Sequence, residues 1–177
     1  NANLRVIIDF VPNHVAREYH STCKPKGVED LGATDNPAWA FSPLNNFYYI
    51  HEAFAPQFDM QGYSENPARA TGNDCFTAHP GKDDWYETIK LNYGVFYQNG
   101  GEQQFDPIPN TWYKMRDILL FWASKGIDGF RCDMAEMVPQ AFWAWAITQV
   151  KEQYPDILFI AEVYNPDLYR SYIAAGF

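Results

Sequence analysis

Basic residues are scarce: 13 Lys and Arg stand against 22 Asp and Glu, for a formal net charge of −9. Phosphate backbones are gripped by clustered positive charge, so nucleic acid is excluded as the expected partner. Cysteine is scarcer still. Cys23, Cys75 and Cys132 lie far apart and form no Cys-x-x-Cys pair, which argues against zinc. Cys23 and Cys75 could pair in an oxidising compartment, but spacing alone leaves that open. No apolar run reaches the roughly 18 residues of a membrane helix, and neither a signal peptide nor a basic presequence is present. The chain starts at Asn1 rather than Met and stops in mid-pattern at Gly176-Phe177. We therefore read it as an internal piece of a longer protein, with no compartment assigned. Aromatic residues are plentiful, at 18%. Most such rings fill the core of a loop-rich chain, and some could stack on the C–H faces of sugars.

Three short apolar runs read as strands: residues 4–10, 127–133 and 157–162. Pro12 stops the first. A helix is expected from Asn110 or Thr111, with Trp112, Met115, Leu119 and Trp122 as its apolar stripe and Gly126 just past its end. A second helix has Pro139 near its first turn, an apolar stripe through Phe142, Ala146 and Val150, and an end before Pro155. Asn165-Pro166 has the form of an N-cap and first residue for a third helix running to Gly176. Strands alternating with helices predict an α/β chain with a parallel sheet covered on both faces. Residues 15–107 carry no strong period and many Gly, Pro, Asn and aromatic residues. Ordinary strand–helix loops run about 2–6 residues, so this span is expected to be an inserted subdomain.

The chemistry gathers where strands end. Arg131 and Asp133 are two apart and face the same side of their strand. A charged pair ending an apolar strand is costly without a partner or a purpose. Asp9 with Asn13 and His14, Arg131 with Asp133, and Glu162 would all meet at the carboxyl ends of parallel strands, where such folds bind ligands. Neighbouring strands lie about 4.8 Å apart. Two carboxyl groups about 5–5.5 Å apart are what a retaining glycosidase uses as nucleophile and acid/base. Arg131 is expected to keep Asp133 ionised. Glu162, with no cation near it in sequence, is expected to have a raised pKa. Glu136 reads as an acidic residue at the start of the following helix, favoured there by the helix dipole. His20, His51 and His79 have no ligand-like spacing.

The strings Asp9-Phe10-Val11-Pro12-Asn13-His14, Gly129-Phe130-Arg131-Cys132-Asp133 and Ile160-Ala161-Glu162-Val163 resemble three signature regions of the α-amylase family, glycoside hydrolase family 13. Their order and the long insertion after the first also match. The resemblance implies a partial TIM (β/α)8 barrel: strand 3 in residues 1–14, an inserted loop-rich B domain in 15–107, and helix 3 to helix 5 in 108–177. It implies Asp133 as nucleophile, Glu162 as general acid/base, Arg131 orienting Asp133, His14 on the sugar, and Asp9 and Asn13 bracing the site. An α-glucan would be the partner, with no cofactor needed for chemistry. In many members the residue matching Asn13 binds a structural calcium. Lys90, however, stands where an acidic calcium ligand is often found, and Glu136-Met137 replaces a Lys-His pair that contacts the leaving-side sugar. The family's third catalytic carboxylate lies on a later strand, beyond this sequence. A retaining α-glucan hydrolase is the first expectation, a glucanotransferase or isomerising enzyme the second, and a catalytically inactive binding relative the third.

Overall fold

The structure is a computed structural model and describes residues 4–22 and 24–177. Its strands and helices are β1 (Ile7–Phe10), β2 (His14–Ala16), β3 (Tyr49–Ile50), β4 (Ala68–Arg69), β5 (Thr88–Lys90), β6 (Val95–Phe96), β7 (Glu102–Gln103), α1 (Asn110–Ala123), β8 (Gly129–Cys132), α2 (Gln140–Gln153), β9 (Leu158–Ala161) and α3 (Tyr169–Ala174). They fall into two compact units. One takes the chain up to Asn13 together with Trp112–Phe177; the other is His14–Thr111. Among the described residues no helix is long and apolar enough to cross a membrane.

The first unit holds a three-stranded parallel sheet in the order β1-β8-β9. Alternation along these strands makes two unlike faces. Phe10, Phe130, Cys132 and Phe159 point to one side and are buried. Phe130 meets Phe10 edge-on at 6.0 Å and stacks on Phe159 at 5.4 Å, while Phe10 also meets Trp143 of α2 at 6.3 Å. Helix α2 buries Phe142, Trp143, Ala146, Ile147 and Val150, one stripe at helical spacing. Each buried ring of this kind contributes about 1.5–3 kcal/mol by leaving water. Cys132 is fully buried, and burial pushes its thiol pKa well up.

The other face departs from expectation. Ile7, Leu158 and Ile160 are 42%, 43% and 47% exposed, so the sheet is covered on one side and open on the other. Unbroken apolar runs suggested cover on both faces; here the helical layer packs on the aromatic face alone. Trp122 departs too. It is exposed, and Ala123 takes the buried position beside Leu119, because a period of 3.6 carries the stripe past residue 122. Gly126 follows α1 with φ +81°, the left-handed turn expected of it. After β9, Asn165 Oδ1 accepts from the Asp167 N–H at 3.0 Å, but the cap opens a 3-10 turn, Pro166–Leu168, before α3.

The second unit contains three two-stranded ladders, β2-β5, β3-β4 and β6-β7. Side chains do much of the work that longer strands do elsewhere. Buried Arg17 donates to Glu65 at 2.7 Å and to the Arg69 carbonyl at 3.0 Å, and lies 4.0 Å over the Phe54 ring. Glu65 also takes Arg69 Nη2 at 2.6 Å. Burial pulls the Glu65 pKa up, but the two arginines outweigh it and the net shift is downward. Cys23, half of the candidate disulfide, lies outside the described residues.

Gly129 sets the spacing of the sheet. A Cβ there would come within 2.8 Å of the Leu158 carbonyl oxygen and 2.9 Å of its Cβ. Gly129→Ala must therefore push β9 away from β8. In the full-length protein the expected loss is about 1–3 kcal/mol in chemical denaturation. An unchanged midpoint would contradict the close approach.

Candidate active site

Parallel register decides which strand ends meet. Asp9 pairs with Arg131, and Arg131 with Ile160, so Asp9, Arg131 and Ile160 share the open face. One step past the ladder, the Asp133 N–H bonds the Phe10 carbonyl at 2.9 Å and the Glu162 N–H bonds the Cys132 carbonyl at 3.0 Å. Two residues beyond Arg131 and Ile160, Asp133 and Glu162 point the same way.

Arg131 ties the row together. Its Nη1 donates to Asp133 Oδ1 at 2.7 Å and to both Asp9 oxygens at 3.0 and 3.2 Å; its Nη2 lies 2.7 Å from Glu162 Oε1. Asp9, then Asp133, hold the guanidinium more firmly charged than usual. Three carboxylates and one cation leave the row two charges negative. Such a row suits a ligand that becomes cationic as it reacts.

Glu162 differs from expectation. Its pKa is lowered, not raised. The first cause is the Met134 N–H, which donates to Oε2 at 2.9 Å; the second is the Tyr164 hydroxyl, which donates to Oε1 at 2.8 Å. Asp133 and Arg131 add smaller contributions in the same direction. Sequence proximity showed no cation because Arg131 comes from the neighbouring strand. Three donors favour the charged form, and shallow burial does not offset them.

Met134 reaches Glu162 only because it is left-handed, at φ 46° and ψ 42°. A non-glycine residue in that region is uncommon and carries backbone strain. No sequence signal marks it. Tyr164 was also missed, although its position two residues past Glu162 could have placed both side chains on one side. Glu136 is not simply a charge at a helix start: its Oε2 accepts the N–H groups of Tyr164 and Asn165 at 3.1 and 3.0 Å.

The last two candidates, Asn13 and His14, fall in different units. Asn13 is buried in the first unit. His14 belongs to the second, in β2 opposite Lys90, with its ring 5.3 Å from that of Trp85. Lys90 is buried and its Nζ lies 2.6 Å from Asp74 Oδ1. Among the described residues no three His, Cys, Asp or Glu side chains are grouped to hold a metal.

No family model matches the chain. It is similar to the alpha-1,4-glucan:maltose-1-phosphate maltosyltransferase of Cereibacter sphaeroides, 44% identical over 97 residues, 55% of this chain and 14% of that protein. It is 28% identical over 158 residues to the enzyme of the same name from Chlorobaculum tepidum, 82% of this chain and 23% of that one. The chain thus spans less than a quarter of either relative. Its fold is shared with the alpha-amylase of Geobacillus thermoleovorans solved with acarbose, at TM-score 0.51 and 21% identity, over 98% of this chain and 29% of that one.

The lowered pKa has a thermodynamic consequence. Stability from charged Glu162 is fully present above the unfolded value of about 4.3 and is lost as pH falls through the lower folded value. The melting temperatures of the full-length protein and of Glu162→Gln should therefore differ most near neutrality, and the gap should shrink below about pH 4. A gap independent of pH would contradict the charge network.

Proposed function

We propose that the chain belongs to the α-amylase family, glycoside hydrolase family 13, and that it carries the nucleophile and the acid/base of a retaining enzyme acting on α-glucans. The observation behind this reading is the single guanidinium, Arg131, held 2.7 Å from both Asp133 and Glu162 at the ends of adjacent strands. In this reading β1, β8 and β9 are strands 3 to 5 of a (β/α)8 barrel, and residues 15–107 are the inserted B domain.

Asp133 attacks the anomeric carbon while Glu162 gives a proton to the departing glycosidic oxygen, and a glucosyl–Asp133 ester forms. Glu162, now a carboxylate, takes a proton from the incoming hydroxyl, whose oxygen displaces Asp133 and restores the original configuration. The free site holds Glu162 in its basic form. A glucan lying over the row excludes water, which disfavours the charge and raises the proton affinity that the first step needs. Arg131 keeps Asp133 aimed, and Asp9 keeps Arg131 in place. His14 and Asn13 are assigned to the sugar and to bracing the site by family resemblance. No step uses a metal.

The incoming hydroxyl belongs to water in a hydrolase. A second reading, transfer to a sugar hydroxyl, is favoured by the maltosyltransferase relatives and by Glu136-Met137, which replaces a Lys-His pair on the leaving side. Retention of both carboxylates argues against an inactive binding relative.

Asp133→Asn in the full-length protein should lower turnover of maltooligosaccharides by about 10³-fold or more while leaving thermal unfolding unchanged. Turnover within tenfold of the parent would sink the nucleophile assignment. Early product analysis separates the two readings. Shorter sugars alone are expected of the hydrolase; oligosaccharides longer than the substrate, or phosphate release when maltose 1-phosphate is the donor, point to transfer.

A further inference from the structure

Three residues beyond Asp133, the Glu136 carboxylate crosses to the chain that follows β9. Its Oε2 alone accepts both the Tyr164 and the Asn165 N–H groups, at 3.1 and 3.0 Å. The backbone it projects from is itself fixed. Tyr172 of α3 donates its hydroxyl to the Glu136 carbonyl at 3.3 Å and to the Val138 carbonyl at 2.9 Å, and the Met137 N–H bonds the Met134 carbonyl at 3.0 Å. The turn Ala135–Met137 is thereby a rigid origin for the carboxylate.

What this carboxylate holds is the backbone under Tyr164. The Tyr164 ring is 67% exposed, so packing does not place its hydroxyl; the backbone at residue 164 does. That hydroxyl donates to Glu162 Oε1 at 2.8 Å. The groups facing the Glu162 carboxylate are the Arg131 guanidinium, the Asp133 carboxylate, the Met134 N–H and the Tyr164 phenol. Arg131, Asp133 and Met134 are set by β8 and the turn after it. Tyr164 is set by Glu136.

We propose that Glu136 is a positioning residue for Glu162: it anchors the backbone of Tyr164 and Asn165 so that the Tyr164 hydroxyl meets Glu162 Oε1 during proton transfer. The position that elsewhere in the family contacts the leaving-side sugar here steadies the acid/base. The inference rests on the reading of Glu162 as acid/base given above. Because the Tyr164 hydroxyl favours charged Glu162, its loss moves the alkaline limb of the pH profile upward.

The test compares two substrates of the full-length enzyme: a maltooligosaccharide, whose leaving oxygen needs a proton, and α-maltosyl fluoride, whose leaving group needs little help. Glu136→Ala should lower kcat/KM by about 10–100-fold on the oligosaccharide and by less than about 3-fold on the fluoride. Glu136→Gln keeps one carbonyl oxygen able to accept both N–H groups and should stay within about 3-fold on both substrates. Tyr164→Phe, an exposed change that should not disturb folding, should cost about 3–10-fold on the oligosaccharide only and shift the alkaline limb upward. Equal losses on both substrates in Glu136→Ala, or none, would overturn the proposal. If that variant does not fold, the absence of a leaving-group-dependent loss in Tyr164→Phe overturns it. Glu162→Gln, run in parallel, isolates the underlying reading. It should show the strongest dependence on leaving group, and equal losses there would reject the acid/base assignment and the inference with it.

Discussion

One guanidinium spans three strand ends. Arg131 contacts Asp9 on β1, Asp133 just past β8 and Glu162 just past β9, at 2.7–3.2 Å. Without it, three carboxylates would crowd one edge of a sheet and repel one another. With it, each is held at a known distance from the same charge. The row is only partly buried, so it avoids most of the desolvation cost of a buried ion cluster. It is a device for geometry more than for stability.

That device depends on the opposite face of the same strands. Phe10, Phe130 and Phe159 pack against one another and α2, and their burial fixes the strands in register. A one-residue slip would send every side chain to the wrong side. Gly129 brings β9 close to β8, and left-handed Met134 turns its N–H onto Glu162. Aromatic packing on one face and carboxylate chemistry on the other are two readings of one alternation. Glu136 extends the control beyond the sheet, by holding the chain after β9 from the turn after β8.

Local pattern carried far in this chain. Strand parity placed Arg131 and Asp133 together, and strand–helix alternation led to a parallel sheet. Glu162 was legible as a strand-end carboxylate, but its electrostatics were not. Its donors come from Arg131, Met134 and Tyr164, and two of those three are distant in sequence. The stripe on α1 was read one residue off at Trp122, where helical drift favours Ala123. Cover on both sheet faces was expected from the unbroken apolar runs and is absent for Ile7, Leu158 and Ile160.

The sequence by itself determined the three strands of the parallel sheet, the main helices, the shared face of Arg131 and Asp133 and the three signature-like strings, because these depend on neighbours within a few residues. The resemblance to consecutive barrel strands implied that β8 lies between β1 and β9, and the tertiary structure decided which side chains and donors that order brings together. From that order follow the bridging role of Arg131, the lowered pKa of Glu162 and the tie from Glu136 to Tyr164. Those properties depend on hydrogen-bond donors supplied by other strands and turns. Such donors fall off within a few ångströms, and separation along the chain does not report separation in space.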